Sequence, residues 1–151
     1  MAQTDFGPIV GCWQMVEAYD LNDPGKPGKS YPWGNPPLGY WVYDSAGNNS
    51  VQISINPPLS LVSDSWWDLG KTADGYMRES FDNYMAYFGT YTVEYDDPAQ
   101  TKGTVTNNVV TDVLRQYTGT AQPRPFVLNG DELVIGDPAS YVRRFKRVAP
   151  A

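Results

Sequence analysis

The 151-residue chain contains no histidine and only one cysteine, Cys12. The absence of histidine excludes imidazole-based catalytic triads, histidine general bases and the usual zinc sites. A single cysteine cannot form an internal disulfide, which fits a reducing compartment, so we expect a cytoplasmic protein. The sequence also lacks a glycine-rich phosphate loop, a nucleophile elbow and a cluster of metal ligands. We therefore expect any catalysis to use neither a cofactor nor a metal.

Charge and long apolar runs are also scarce. Charged residues make up 19% of the chain and the formal net charge is −6, without a basic patch, so nucleic acid is not an expected partner. No apolar run reaches the length of a membrane-spanning helix. The first residues lack the basic start and apolar core of a secretory signal. The sequence leaves the oligomeric state open, and an oligomer is possible.

Aromatic residues, glycine and proline are abundant. Aromatic side chains make up 14% of the chain, which also has 14 glycines and 13 prolines. The glycines and prolines cluster between segments in which apolar and polar residues alternate, which is typical of half-buried strands joined by turns. The length fits one domain over residues 1–151, with a loose N-terminal arm over residues 1–7.

Alternation predicts eight short strands. They are expected at residues 9–19, 39–43, 50–55, 87–95, 103–114, 120–128, 132–135 and 141–147. Apolar residues at helical spacing predict one short helix over about residues 73–86. The aromatic segments Tyr31-Pro32-Trp33-Gly34 and Ser65-Trp66-Trp67 are expected either to form a lid or to anchor long loops on the surface. Hairpin spacing allows a sandwich or a barrel, and the arginine-rich last strand favours an all-β, closed antiparallel barrel of about eight strands.

One stretch, Met85 to Tyr95, organises this prediction because the predicted helix passes into a long alternating strand there. The residues that share one face are Tyr87, Gly89, Tyr91, Val93 and Tyr95. A glycine inside such a run indicates a bend or a close approach of another backbone. We expect this strand to line the interior of the barrel.

Several motifs follow one another along the chain. They are Val10-Gly11-Cys12-Trp13, Tyr31-Pro32-x-Gly34, Phe81-Asp82-x-Tyr84-x-Ala86-Tyr87-Phe88-Gly89-Thr90-Tyr91 and Gly119-Thr120-x-Gln122-x-Arg124-x-Phe126. Together they resemble the small lipocalin-like (calycin) domain family over about residues 9–147. The resemblance implies a barrel with an internal cavity but no particular reaction. Such a family includes binding modules and auxiliary proteins that cyclise or isomerise intermediates in natural-product pathways.

Three features depart from the family pattern. Asn107 and Asn108 stand where histidine is common, and Glu17 stands where a small or neutral residue is common. Arg143 takes a position that is usually apolar. These differences predict cavity chemistry that is particular to this protein.

Glu17 is a candidate because alternation puts it on the same face as Trp13, which is expected to plug one end of the barrel, and Met15. A carboxylate on an inward face is costly unless it is paired or protonated. Glu17 is therefore either ion-paired with Arg124 or Arg143, or a general acid or base whose pKa is raised by an apolar lumen.

Gln122, Arg124 and Phe126 share a second predicted inward face. A guanidinium group inside a barrel can hold a carboxylate, an enolate or a phenolate. The alternative for Arg124, and for Arg143 on the last strand, is that the charged end emerges into water at the rim.

An inward aromatic wall is predicted from Trp41, Tyr43, Tyr87 and Tyr91. The alternative for each of them is ordinary core packing, although so many phenol groups are hard to bury without partners. Asp112 falls on the opposite face of its strand and is expected to be exposed.

The sequence therefore predicts a barrel that binds one hydrophobic or aromatic small molecule and acts on it as a cofactor-free cyclase or isomerase in secondary metabolism. The predicted catalytic residues are Glu17, Arg124 and Tyr91. The predicted ligand-binding residues are Met15, Trp41, Tyr43, Tyr87, Asn107, Gln122, Phe126 and Arg143. Two alternatives are a non-catalytic carrier or sequestering protein, which needs the same cavity, and a structural module with a filled barrel.

Overall fold

The computed structural model describes residues 5–21, 23–57 and 83–149. Within these ranges eight β-strands form one closed antiparallel barrel, in which neighbours in sequence are neighbours in the sheet and the last strand pairs with the first. The strands are β1 (Gly11–Asp20), β2 (Leu38–Tyr43), β3 (Asn48–Ser54), β4 (Tyr84–Tyr95), β5 (Lys102–Asp112), β6 (Ala121–Asn129), β7 (Glu132–Ile135) and β8 (Tyr141–Arg147). The predicted all-β closed barrel is confirmed.

The predicted helix over residues 73–86 is wrong at its C-terminal end. β4 already begins at Tyr84, and Tyr84 to Ala86 pair with β3. Strand pairing decides the conformation there, because local helical spacing is a weak signal beside a partner strand. The remainder of that helix and Ser65-Trp66-Trp67 lie outside the described residues. The helical elements of the described ranges are 3-10 turns, at Gly7–Ile9 and Arg115–Tyr117.

The segment just before β1 packs against the barrel from Phe6 onward. The hydroxyl of Tyr95 donates a hydrogen bond to the carbonyl of Phe6 at 2.8 Å and accepts one from the amide of Ile9 at 3.3 Å. The ring of Phe6 packs against Tyr91, with 4.7 Å between the ring centroids. This segment therefore covers one end of the barrel, which we call the closed end.

Trp13 completes the closed end. Its side chain is fully buried, and its Nε1 donates a hydrogen bond to the carbonyl of Ile9 at 2.9 Å. The guanidinium of Arg147 lies 4.0 Å from the centre of the indole and donates to the carbonyls of Val10 and Pro8, each at 2.7 Å. The cation–π contact and these hydrogen bonds tie β8 to the start of β1.

A β-bulge in β1 changes which side chains face the interior. The register with β8 shifts between Met15 and Glu17, so Val16 is an extra residue without a partner. Since one extra residue reverses the alternation, Glu17 lies on the outer wall opposite Arg144, whose Nε donates to its Oε2 at 3.2 Å. The prediction that Glu17 faces the lumen is wrong for this reason, and Asp20 takes an inward position instead.

A second β-bulge has the same effect in β5. Phe88 pairs with Thr111 and Gly89 with Val109, so Val110 is the extra residue. Beyond it the alternation reverses, and Asp112 faces the interior with 8% of its surface exposed. The prediction that Asp112 is exposed is therefore wrong.

Gly89 lets β4 and β5 approach at this bulge. A Cβ atom added at Gly89 would collide with the carbonyl oxygen of Asn108, which is backbone and cannot move aside like a side chain. The close approach that a glycine in this strand predicts is confirmed.

Candidate functional site

The end of the barrel opposite Trp13 contains a cavity of about 320 Å³ among the described residues, which we call the chamber. Odd-numbered strands end here and even-numbered strands begin here, so side chains distant in sequence converge. Its apolar and aromatic wall consists of Pro32, Trp33, Trp41, Ile53, Met85, Tyr87, Val109, Leu114, Tyr117, Ile135 and Tyr141. Its polar groups are Asp20, Asp112, Gln122, Arg124 and Arg143.

Arg124 is held in place by a neighbour on its own strand. Its Nη2 donates to Oε1 of Gln122 at 2.9 Å, and Nε2 of Gln122 donates to Oγ1 of Thr120 at 2.7 Å. Its Nη1 has a long contact of 3.5 Å to the carbonyl of Pro123. None of the ion pairs within residues 5–21, 23–57 and 83–149 involves Arg124. Its guanidinium is thus oriented but keeps free hydrogen-bond donors.

Arg143, by contrast, has its charge and its donors engaged. Its Nη2 lies 2.8 Å from Oδ1 of Asp20, and its Nη1 donates to the carbonyls of Tyr19 and Val142 at 2.9 and 3.1 Å. The bulge in β1 makes this ion pair possible, because it turns Asp20 toward the interior. Arg143 therefore compensates a carboxylate of the protein itself.

Tyr141 brings the two arginines together. The guanidinium carbon lies 5.7 Å from the centre of its ring for Arg124 and 5.3 Å for Arg143, within the range of cation–π attraction. A shallower depression of about 450 Å³ adjoins the chamber, and we call it the vestibule. It is lined by Asp20, Asp23, Pro24, Arg124, Ser140, Tyr141 and Arg143. Arg124 thus lines both the apolar chamber and the polar vestibule.

Asp112 and Tyr87 supply titratable groups in the chamber wall. Burial raises the pKa of the Asp112 carboxyl above its ordinary value, opposed by a hydrogen bond of 2.6 Å that its Oδ1 accepts from the amide of Leu114. Burial also raises the pKa of the Tyr87 hydroxyl well above its ordinary value, although Arg124 opposes this shift. Tyr87 therefore stays a hydrogen-bond donor, and burial favours the protonated form of Asp112 more than in an exposed aspartate.

The predicted site residues separate into three groups. Those in the chamber wall are Trp41, Tyr87, Gln122, Arg124 and Arg143. Those in the packed core outside the chamber wall are Met15, Tyr43, Tyr91, Asn107 and Phe126. Glu17 is on the outer wall, where Lys29 adds a second cation with 3.7 Å between Nζ and Oε1.

Tyr91 illustrates why alternation alone does not locate a cavity. It faces inward as predicted, but its ring packs between Phe6 and Tyr43, with 4.7 and 4.6 Å between ring centroids. Its hydroxyl donates to the carbonyl of Asp44 at 2.8 Å. Its position thus supports packing at the closed end rather than the predicted catalytic role.

Asn107 belongs to a buried polar cluster. Its Oδ1 accepts hydrogen bonds from the hydroxyl of Tyr43 at 3.1 Å and from Nδ2 of Asn49 at 2.8 Å. Burial raises the pKa of Tyr43 well above its ordinary value, so the phenol remains a donor. These hydrogen bonds between strands describe the position of Asn107 better than the predicted ligand contact does.

Sequence reasoning missed several residues of the chamber. Asp20 and Asp112 were missed because both bulges lie in strands that otherwise alternate regularly. Met85 was assigned to the helix. Trp33 was identified only as a possible lid, and it does pack against the core and line the chamber. The sequence did contain a signal for Tyr141, because it lies two residues before Arg143 and so shares its face of β8, which lines the chamber.

A closed antiparallel barrel of eight strands with an interior chamber is an architecture typical of proteins that bind small molecules. A family model described as a lipocalin-like domain matches residues 10–144, and the chain belongs to this family. A comparison with curated proteins found no significant match. Across the described ranges, no helix is long and apolar enough to cross a membrane, and no three acidic or cysteine side chains converge as metal ligands.

Proposed function

We propose that the protein binds one hydrophobic or aromatic small molecule in the chamber and acts on it as a cofactor-free cyclase or isomerase in natural-product biosynthesis. The observation that carries the proposal is that Asp112, a carboxyl with a raised pKa, lines the same largely apolar chamber as the guanidinium of Arg124, which forms no ion pair within the described residues. The natural-product setting rests on the family resemblance of the motifs.

Binding follows from the composition of the wall. Trp41, Ile53, Met85 and Val109 present apolar surface, and transfer of a ligand into contact with them contributes about 25 cal/mol for each Å² removed from water. A few polar groups at one side of such a wall fix the orientation of the ligand.

The chemistry follows from the two charged groups. The Asp112 carboxylate takes a proton from a carbon next to a carbonyl group, and Arg124 stabilises the negative charge that develops on the enolate oxygen. The Asp112 carboxylic acid then returns the proton to another carbon, which isomerises the ligand. In the cyclisation variant, the enolate carbon attacks an electrophilic carbon of the same molecule and the resulting oxyanion takes the proton. Neither sequence needs an oxidant or a second substrate.

One observation favours the carrier alternative. The hydrogen bond from the amide of Leu114 gives Asp112 a structural role at the end of β5, independent of any proton transfer. In that case the chamber binds the same ligand and leaves it unchanged.

Binding is tested with N-phenyl-1-naphthylamine, a neutral aromatic dye that fluoresces in apolar sites. We expect saturable fluorescence with the wild type and a loss of at least about tenfold in affinity for Val109→Phe, since the added ring fills the chamber. Val127→Phe is the matched control, because Val127 is exposed on the outer side of β6. Equal affinity in both variants would place the dye elsewhere and contradict the proposed chamber.

Catalysis is tested with 2-tetralone, an aromatic ketone with acidic C–H bonds, in deuterium oxide. We expect the wild type to accelerate deuterium incorporation followed by NMR, and Asp112→Asn to reduce the acceleration at least about a hundredfold. Glu17→Gln, which changes a carboxylate on the outer wall, should retain it. If the wild type binds the dye but does not accelerate deuterium exchange, the enzyme proposal is wrong and the carrier alternative takes its place.

A further inference from the structure

Two arginines, Arg124 and Arg143, line the chamber. Among the described residues, no carboxylate lies at ion-pair distance from Arg124. Arg143 is neutralised by Asp20 at 2.8 Å. In the vestibule, the carboxylate of Asp23 is paired with Lys26 at 3.0 Å and accepts a hydrogen bond from Ser30. Each carboxylate of the vestibule therefore has its own cation, which leaves Arg124 available to an external anion.

The remaining acid near Arg124 does not remove this imbalance. Asp112 lines the same chamber, but it forms no ion pair with Arg124, and its Oδ1 accepts the hydrogen bond from the amide of Leu114. Burial raises the pKa of the Tyr87 hydroxyl, so this phenol stays uncharged and cannot compensate a guanidinium group. A half-buried charge without a counterion is costly unless a ligand or water solvates it.

The geometry of Arg124 is also prepared for binding. Gln122 accepts from Nη2 and is itself anchored by a hydrogen bond to Thr120, so the guanidinium plane is fixed before a ligand arrives. The planar guanidinium group forms paired hydrogen bonds with an anion that carries two oxygens at carboxylate spacing. Apolar surface lies on one side of it and the polar vestibule on the other.

We propose that the ligand is an amphipathic monoanion whose charge is shared by two oxygens, and that Arg124 binds this anionic end where the chamber meets the vestibule. Carboxylates and enolised β-dicarbonyl compounds both have this chemistry. The hydrophobic part of the ligand then extends into the chamber past Trp41 and Ile53. Gln122 acts as a positioning residue, because it orients Arg124. This inference rests on the proposed binding function and specifies its ligand class.

The test compares ligands that differ in charge but hardly in shape. The probes are 2-naphthoate, its neutral isostere 2-naphthamide, and 2-acetylindane-1,3-dione as the enolised β-dicarbonyl, each titrated by displacement of N-phenyl-1-naphthylamine. We expect the wild type to bind 2-naphthoate at least about tenfold more tightly than 2-naphthamide, the range of a charge-assisted hydrogen bond. Comparison of the two anionic probes distinguishes the two ligand classes. Tighter binding of 2-naphthoate would indicate a carboxylate, and tighter binding of 2-acetylindane-1,3-dione would indicate an enolised β-dicarbonyl compound.

Variants locate the anion. Arg124→Met should abolish the preference for 2-naphthoate and lower the affinity for 2-naphthamide much less, because a neutral amide oxygen accepts a weaker hydrogen bond than a carboxylate. Arg124→Lys should retain part of the preference, because the charge remains although the paired donors are lost. Arg144→Met is the matched control, since it removes the same charge from the outer wall and should keep the full preference. Gln122→Leu should weaken 2-naphthoate binding much more than 2-naphthamide binding, because it frees the guanidinium from its orientation. Gln122→Glu should also lower the preference for 2-naphthoate, because the new carboxylate compensates the charge of Arg124.

The outcomes separate this inference from the binding proposal. Equal affinity of the wild type for 2-naphthoate and 2-naphthamide, with the dye still bound in the chamber, would overturn the anion site alone. A preference that persists in Arg124→Met would also overturn it. If the wild type does not bind the dye at all, the binding proposal is overturned as well. Circular dichroism and dye affinity of each variant verify that the barrel is intact.

Discussion

Asp112 lies directly opposite Tyr87 in the register of β4 and β5, although alternation along β5 places it on the outer surface. The extra residue Val110 causes the difference, because it reverses the alternation of inward and outward side chains before Asp112. The same device in β1 turns Asp20 inward and Glu17 outward. Both acids of the chamber therefore depend on a bulge.

Asp112→Asn should make the protein more stable relative to the wild type as the pH rises from about 4 to about 7. Burial raises the pKa of Asp112 above that in the unfolded chain, so its contribution to stability is complete below the unfolded pKa and is lost as the pH rises through the folded pKa. Asparagine is neutral throughout and still offers an oxygen to Leu114. Urea unfolding at the two pH values measures the difference, and an unchanged difference would show that the carboxyl is not desolvated.

Asp44→Asn is the control with the opposite sign. Hydrogen bonds from the side chain and backbone of Asn48 hold the pKa of Asp44 below its usual value. Its stabilising effect is therefore present above the unfolded pKa and is lost as the pH falls. The variant should cost roughly 1 kcal/mol near neutral pH and less near pH 3.

Tyr91→Phe should destabilise the protein by about 1 kcal/mol, because it removes the hydrogen bond to the carbonyl of Asp44. Dye affinity and deuterium exchange should remain those of the wild type, since Tyr91 does not line the chamber. Urea unfolding and the two assays measure these quantities. A folded variant without exchange activity would show that the hydroxyl takes part in the chemistry.

Gly89→Ala should destabilise the protein by about 2–3 kcal/mol, because the new methyl group forces apart the backbones of β4 and β5 at the bulge. It should also weaken dye binding, since the displaced segment leads to Asp112. Gly119→Ala is the control: its φ of 75° disfavours alanine, but no atom lies within 4 Å of the added carbon. That variant should cost about 1 kcal/mol and bind the dye normally. Unfolding curves that coincide for the two variants would contradict the close approach.

Glu17→Gln should change the free energy of unfolding by less than about 1 kcal/mol. Its partners Arg144 and Lys29 are 42% and 47% exposed, so solvent screens both ion pairs. A destabilisation of several kcal/mol, measured by urea unfolding, would indicate a buried carboxylate and contradict the outward orientation.

The sequence was sufficient for the architecture because alternation, turns and the family motifs all indicate a closed barrel. It was also sufficient for the inward positions of Gln122 and Arg124, since β6 pairs with β5 without a register shift across both residues. It was insufficient for Asp20 and Asp112, because the extra residues, Val16 and Val110, are valines, which are ordinary strand residues and carry no bulge signal.

The division of the interior into a packed half and a chamber was also beyond the sequence. Tyr91 and Tyr87 share one face of β4, yet only Tyr87 lines the chamber. The difference arises from distant partners, because Phe6 and Tyr43 cover Tyr91. Alternation specifies the side of a strand but not what occupies the space beyond it.

The pairing of β1 with β8 has a consequence for how the chain is made. During synthesis one edge of β1 has no partner until Tyr141–Arg147 has left the ribosome, and Trp13 remains uncovered by Arg147 until then. Contacts between segments so far apart in sequence form slowly. A chain truncated before β8 would expose two unpaired edges, at β1 and β7, and we expect such nascent or shortened chains to depend on chaperones and to aggregate without them.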